Sequence, residues 1–216
     1  MAERQGAVFF DLDNTLHNTK EYIVQAFEYA LEKHGYPAKP RAEIEKHIGK
    51  TLRQCYEILA PKEVNLEELF ELHIKYQKDH PGLVVPFPEA LNSIRKIRAA
   101  GKKTAVITSR TRESALDNLN VTGVGLLMDF VVTKEDVPNP KPFPDAVNMA
   151  IHHFRIEPVD AWMVGDKDVD VKAGKAAGTK TIGVTNGDID QELIDSKPDH
   201  LVENISNVVP IVTKSV

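Results

Sequence analysis

The 216-residue chain has a single cysteine, Cys55, so an internal disulfide and a cysteine-rich zinc framework are both excluded. No apolar run approaches the roughly 18 residues that a membrane-spanning helix requires. The apolar stretch near the start is only Ala7 to Phe10 and meets an acid at once, too short for the apolar segment of a secretory signal. An excess of basic residues is missing too. Lys and Arg number 27 against 32 Asp and Glu, a formal charge of −5, which argues against a nucleic-acid partner. Internal repeats and low-complexity tracts are absent. What remains is an ordinary globular composition, 42% apolar and 27% charged. On folding, a chain of this length buries roughly 70% of its extended surface, enough for a core without covalent staples. The lone thiol fits a reducing, cytoplasmic setting, with neither a membrane nor a nucleic acid as partner.

Apolar patterning divides the chain into two kinds of segment. Ala7 to Phe10 is a continuous apolar run, the pattern of a strand buried on both faces of a parallel sheet. Further strands are expected at Thr104–Thr108, Phe130–Val132, Ala161–Val164, Thr181–Val184 and His200–Val202. Helices are expected between them, at Glu89–Ala100, Arg112–Asn120, Pro142–Phe154 and Val169–Ala177, with a short helix at the end. Strands alternating with helices imply an α/β fold, a Rossmann-like parallel sheet with helices on both faces. Residues 17–81 break the alternation. They show helical periodicity around Tyr22 to Leu31, Leu52 to Leu59 and Leu66 to Ile74, but no convincing strand, and Asn65 and Glu68 have capping-box spacing. We therefore expect an α/β core of residues 1–16 and 82–216, interrupted by a small helical domain, residues 17–81.

Sites on open parallel sheets form beyond the carboxyl ends of the strands, so the residues just after each strand are the informative ones. The first strand delivers Asp11, Asp13 and Thr15 in FFDLDNTL. The second delivers Thr108, Ser109 and Arg110. Lys141 follows the third at a short distance, and Asp166 and Asp170 follow the fourth in GDKDVD. Carboxylates, a hydroxyl and an ammonium gathered on one edge suit phosphoryl transfer, which needs in-line attack, charge neutralisation and proton management. A carboxylate can itself be the nucleophile. An anion cannot approach a phosphate unaided, and oxygen-only ligands select Mg²⁺ over Zn²⁺. Asp11 and Asp166 are placed to supply that metal site, with Lys141 and Thr108 on the phosphoryl oxygens.

Four ordered motifs, D-x-D-x-T at Asp11, Thr108 after a strand, Lys141, and G-D-x-x-x-D at Asp166, resemble the haloacid dehalogenase-like hydrolases, in particular their phosphatases with a helical cap inserted after the first strand, such as phosphoglycolate phosphatases. The resemblance covers nearly the whole chain. It implies Asp11 as nucleophile and Asp13 as general acid and base, its backbone carbonyl also on Mg²⁺. It implies Thr108 and Lys141 as the pair that orients the phosphoryl group, Asp166 as a metal ligand, and Asp170 as a second acid of the metal site that binds directly, through water, or by orienting Lys141. Thr108-Ser109-Arg110 is similar to the Thr-Asn-Lys or Thr-Ser-Lys of phosphoglycolate and pyrophosphate phosphatases, with Arg for Lys, which makes Ser109 and Arg110 substrate-binding candidates. The implied activity is Mg²⁺-dependent hydrolysis of a small phosphomonoester through an aspartyl phosphate. Candidate substrates are phosphoglycolate, a sugar phosphate, a nucleoside monophosphate and pyrophosphate. A phosphomutase of the same superfamily and a non-enzymatic regulator that keeps the fold are the competing readings.

The helical insertion, as a cap, would read the leaving group. Lys50 and Arg53, beside the turn His47-Ile48-Gly49-Lys50, are its basic candidates for a second substrate anion. The stretch GKTLR lacks the spacing and the preceding strand of a phosphate loop. Cys55 lies on an apolar stripe and is expected in the core. Asp168 reads as a helix-start residue, His152 and His153 as structural, and Arg98 and Arg112 as solvated helix charges. His17 is read either as a substrate contact or as a solvated loop residue.

Overall fold

A computed structural model of the chain describes residues 6–48, 50–61, 64–188 and 190–214. Gly49, in the turn expected between two helices of the insertion, lies outside these residues, as does the start of the chain.

The central sheet has six parallel strands in the order β5-β4-β1-β6-β7-β8. They are β1 (Ala7–Phe10), β4 (Lys103–Ile107), β5 (Phe130–Val132), β6 (Ala161–Gly165), β7 (Lys180–Val184) and β8 (His200–Val202). Two faces explain the unbroken apolar runs. Val8, Phe10, Val106 and Val164 point to one side, where α5 (Ala90–Ala99), α6 (Arg112–Thr122) and the short α10 (Val209–Val212) cover them. Ala7, Phe9, Ala105, Ile107 and Met163 point to the other, against α7 (Asp145–Phe154) and α8 (Asp168–Ala176). Side chains alternate along a strand, so a strand covered on both faces must be apolar at every position. Complete burial of such a side chain stabilises by about 1.5–3 kcal/mol. From β1 the chain winds outward to β4 and β5, then returns beside β1 and winds the other way through β6, β7 and β8. The order reverses at β1 and β6, the position where open sheets leave a crevice at their carboxyl edge.

The segment between β1 and β4 is helical, with α1 (Lys20–Lys33), α2 (Arg41–Glu45), α3 (Leu52–Leu59) and α4 (Leu66–Asp79). A separate apolar cluster holds it together, including Val24, Phe27 and Leu31 of α1, Ile44 of α2, Tyr56 and Leu59 of α3, and Leu69 of α4. A two-residue antiparallel ribbon, β2 (His17–Asn18) with β3 (Val85–Pro86), carries the chain out of the core and back. In the core, α9 (Gln191–Asp195) follows β7.

Several expectations need correction. Asn65 does cap α4, but its carbonyl accepts from the Glu67 amide and its amide group donates to Glu68, so the reciprocal capping box is not formed. α7 starts at Asp145 and not at Pro142. Arg98 is no free helix charge. It donates to the Leu127 carbonyl at 3.0 Å and pairs with Asp129 at 2.8 Å, tying α5 to the loop before β5. His17 is neither solvated nor on the site: it is buried in the ribbon, with Nε2 2.8 Å from the Thr122 hydroxyl.

Candidate active site

The sheet's carboxyl edge collects the polar residues in a small volume. Asp11 follows β1 directly, and at Asn14 the backbone enters the left-handed region at φ 54°, a conformation that asparagine tolerates better than most residues. The turn brings the Thr15 hydroxyl to Asp166 at 3.2 Å. Thr108, Ser109 and Arg110 leave β4, Asp166 leaves β6, and Asp170 lies in the first turn of α8.

Carboxylate oxygens of Asp11, Asp166 and Asp170 all lie within 4.8 Å of one another. The Lys141 ammonium is buried among them, 2.5 Å from Asp11 and 2.6 Å from Asp170, with the Ile107 carbonyl at 3.3 Å. Asp170 also accepts from the Lys167 amide at 3.1 Å, while the Lys167 side chain turns away to Asp190. Gly165 is required here, because a Cβ would come within 2.3 Å of the Asp170 carboxyl. Three carboxylates against one ammonium leave a formal −2 in a buried place. Burial, with the charges of Asp170 and Asp13, pushes the Asp11 carboxyl up to about 7, against the pull of Lys141. Burial and the same crowding, by Asp11 and Asp170, push Asp166 well above the usual carboxylate range. An all-oxygen pocket short of two positive charges fits a hard divalent cation.

Asp13 is engaged differently. Its carboxylate is outside the acidic cluster and in a forked ion pair with Arg110, from Nε at 3.0 and 2.8 Å and from Nη2 at 2.7 Å. Burial works to raise its pKa, but the charge and hydrogen bonds of Arg110 outweigh it and hold the carboxyl below the usual range. Next to this pair a cavity of about 100 Å³ opens between the sheet edge and the helical insertion. Ser109 and Arg110 line it from below, and Phe27, Leu52 and His73 are among the residues that line it from the insertion.

Lys50 reaches this cavity, and it also borders a wider cleft that leads to Asp166. Arg53 does not. It lies half-exposed on the outside of the insertion, paired with Glu67 at 2.6 Å and over the Phe70 ring, because the face that α3 turns to the sheet carries Leu52 and Cys55 instead. Thr108 is buried, its hydroxyl accepting from the Arg110 amide at 3.2 Å. Cys55 is buried, and burial pushes its thiol up to about 12, far from a reactive thiolate. His153 stacks on Phe130, at the opposite end of β5 from the site. Sequence reasoning missed Tyr22, whose ring lies under the Arg110 guanidinium, and Ser114, which accepts from Arg110 at 2.9 Å. It also missed Lys134, another lining residue. Lys134 was within reach of the rule that found the others, since it comes two residues after β5.

The match to known proteins follows this geometry. The family model of the haloacid dehalogenase-like hydrolases matches residues 8–184, from β1 to the end of β7. A pyrophosphatase, PpaX, of Bacillus pumilus is 33% identical over 208 residues, 95% of each chain. The protein of that name from Bacillus velezensis is 32% identical over 216 residues, 97% of each. Among solved structures, one from Bacteroides fragilis, assigned as a haloacid dehalogenase-like hydrolase, superposes with a TM-score of 0.87 at 27% identity, covering 95% of this chain and 100% of the other. No helix among the described residues is long and apolar enough to cross a membrane. With the motifs, the sheet order and these relatives in agreement, the chain belongs to the haloacid dehalogenase-like hydrolases, in their phosphatase branch.

Proposed function

We propose that the chain is a Mg²⁺-dependent phosphatase in which Asp11 takes the phosphoryl group, residues 17–81 acting as the cap over the site. One observation carries this reading: a buried carboxylate, Asp11, shares a 4.8 Å cluster with two further acids and is held by Lys141. Thr108 and Lys141 hold phosphoryl oxygens while an Asp11 oxygen attacks phosphorus in line. The bond to the leaving oxygen breaks, and Asp13 supplies the proton. The same carboxylate then takes a proton from the water that attacks the aspartyl phosphate, releasing inorganic phosphate and restoring Asp11. Asp11, Asp166 and Asp170, with the Asp13 backbone carbonyl, would hold Mg²⁺, which when bound would supply the charge neutralisation that lets two anions meet. Lys141, already bonded to Asp11 and Asp170, fixes the nucleophile's orientation before substrate arrives.

Pyrophosphate is the leading substrate. The Bacillus relatives carry that activity in their name. The cavity beside the Asp13–Arg110 pair holds fewer than about ten water-sized groups, which suits a second phosphate. Lys50, Lys134 and Arg110 line it with positive charge. A cytoplasmic location fits the buried, unpaired thiol. The test is phosphate release from pyrophosphate, phosphoglycolate, a sugar phosphate and nucleoside monophosphates, with Mg²⁺ and with EDTA. We expect pyrophosphate to be preferred and EDTA to abolish turnover. Full activity in EDTA contradicts the metal assignment, and a preference for nucleotides contradicts the substrate.

A further inference from the structure

Arg110 is committed on every side. Nε and Nη2 bind both oxygens of Asp13, Nη1 donates to the Ser114 hydroxyl, and the Tyr22 ring lies 5.4 Å from the guanidinium carbon. Only about a tenth of either partner's side chain reaches solvent. Arginine N–H donors therefore take three of the roughly four lone-pair sites of the Asp13 carboxylate, and the fork holds it as an anion against the guanidinium. If Asp13 is to move a proton to and from substrate, the guanidinium has to let go. It cannot be released into nothing. Arginine stays charged, and the cavity beside it is walled largely by apolar groups, Ile23, Phe27, Ile48 and Leu52 among them. A buried cation left unpaired there is strongly unfavourable. The replacement partner must be another anion in the same cavity.

We propose that Arg110 changes partner on binding, leaving Asp13 for a second anionic group on the leaving-group side of the substrate. Recognition of that anion and exposure of Asp13 are then one event. The proposal rests on the phosphatase reading above and adds the chemical class of the leaving group: a phosphate or a carboxylate. A substrate with an uncharged leaving portion leaves Arg110 on Asp13. The fork of the guanidinium suits both states, because it binds a carboxylate and a phosphate in the same two-pronged way. Ser114, at the start of α6, remains a hydrogen-bond anchor for Nη1 through the exchange. Lys50 and Lys134, on the same cavity, favour the arrival of an anion.

The test compares wild type with R110Q and R110K. One arm measures kcat and KM on pyrophosphate and on p-nitrophenyl phosphate. The other measures binding of methylenediphosphonate, which is not hydrolysed, and of inorganic phosphate. We expect R110Q to weaken methylenediphosphonate about ten- to a hundredfold, the range of a charged hydrogen bond. Its effect on inorganic phosphate should be far smaller. The ratio of kcat/KM for pyrophosphate to that for p-nitrophenyl phosphate should fall by a similar factor, with R110K between the two. Equal losses on both substrates, the signature of an arginine that only positions Asp13, overturn the proposal, as does unchanged binding of methylenediphosphonate. If R110Q does not fold, R110K carries the test, and an unchanged ratio overturns the proposal. Turnover of neither substrate by wild type, with Arg110-dependent diphosphonate binding intact, defeats the phosphatase reading and leaves the anion recognition standing.

Discussion

Asp13 and Asp11 are two residues apart in sequence, yet their surroundings differ, and the proposed mechanism gives them different work. Asp11 lies in a crowd of acids beside Lys141, and Asp13 is covered by an arginine. Asp13→Asn keeps the shape and removes proton transfer, so turnover of pyrophosphate should fall about a hundred- to ten-thousandfold. The loss should be smaller with p-nitrophenyl phosphate, whose leaving group needs little protonation. Equal losses on the two substrates contradict Asp13 as the acid. Gly165 makes a second test at this scale. Its absent side chain is what lets the Asp170 carboxyl lie against the end of β6. Gly165→Ala should destabilise by about 1–3 kcal/mol, the range of overpacking, and weaken divalent-cation binding as Asp170 is displaced. Urea unfolding and a metal titration check both.

At the scale of elements, the strands were legible because a sheet covered on both faces imposes apolar runs that end abruptly at a polar edge, as β1 ends at Asp11. The same edge rule located Asp166, Thr108 and Lys141. Lys134 also follows β5, but it belongs to no motif, and a lone lysine after a strand is indistinguishable from a surface charge. In the insertion, α2 and the ribbon of β2 with β3 are too short for any periodicity to show. Helical periodicity marked α3 but could not say which face of it meets the sheet, so Arg53 was expected in the site and lies outside it. The Asp13–Arg110 pair joins residues far apart in sequence, and no local pattern signals it. Beside Lys50, Thr51 starts α3 with a true capping box: its hydroxyl accepts from the Gln54 amide at 3.3 Å, and Gln54 accepts from the Thr51 amide at 3.0 Å. Thr51→Ala should cost about 0.5–2 kcal/mol of stability. It should also raise KM for pyrophosphate more than for p-nitrophenyl phosphate, because the fraying begins next to Lys50. A thermal melt and the two KM values measure this.

Across the whole molecule, two buried histidines make stability depend on pH. Burial lowers His73 from 6.5 to about 3 and His17 from 6.5 to about 4. Both are neutral in the fold and take up a proton on unfolding once the pH falls below 6.5. Their folded values are depressed, so the stability they contribute is complete above 6.5 and declines as the pH falls through the window down to about 4. Each group adds a slope of up to about 1.4 kcal/mol per pH unit. The raised Asp11 and Asp166 carboxyls act in the opposite sense over the same window, so the histidine contribution is read as a difference. Urea stability of the wild type relative to His73→Gln should shrink as the pH falls from 6.5 towards 4. A difference that stays constant or grows towards low pH contradicts the buried neutral histidine.

In the proposed mechanism the Asp11 carboxylate, at the sheet edge among the acidic cluster and Lys141, is the group that accepts phosphoryl. The most direct test is to quench the enzyme with acid during turnover of pyrophosphate in Mg²⁺, reduce it with borohydride and sequence the peptides by mass spectrometry. Reduction of an acyl phosphate converts the aspartate that carried it to homoserine. Homoserine at position 11, absent without substrate and absent in Asp11→Asn, is the expected result. Turnover with no modification there, or an Asp11→Asn protein that still releases phosphate, contradicts it.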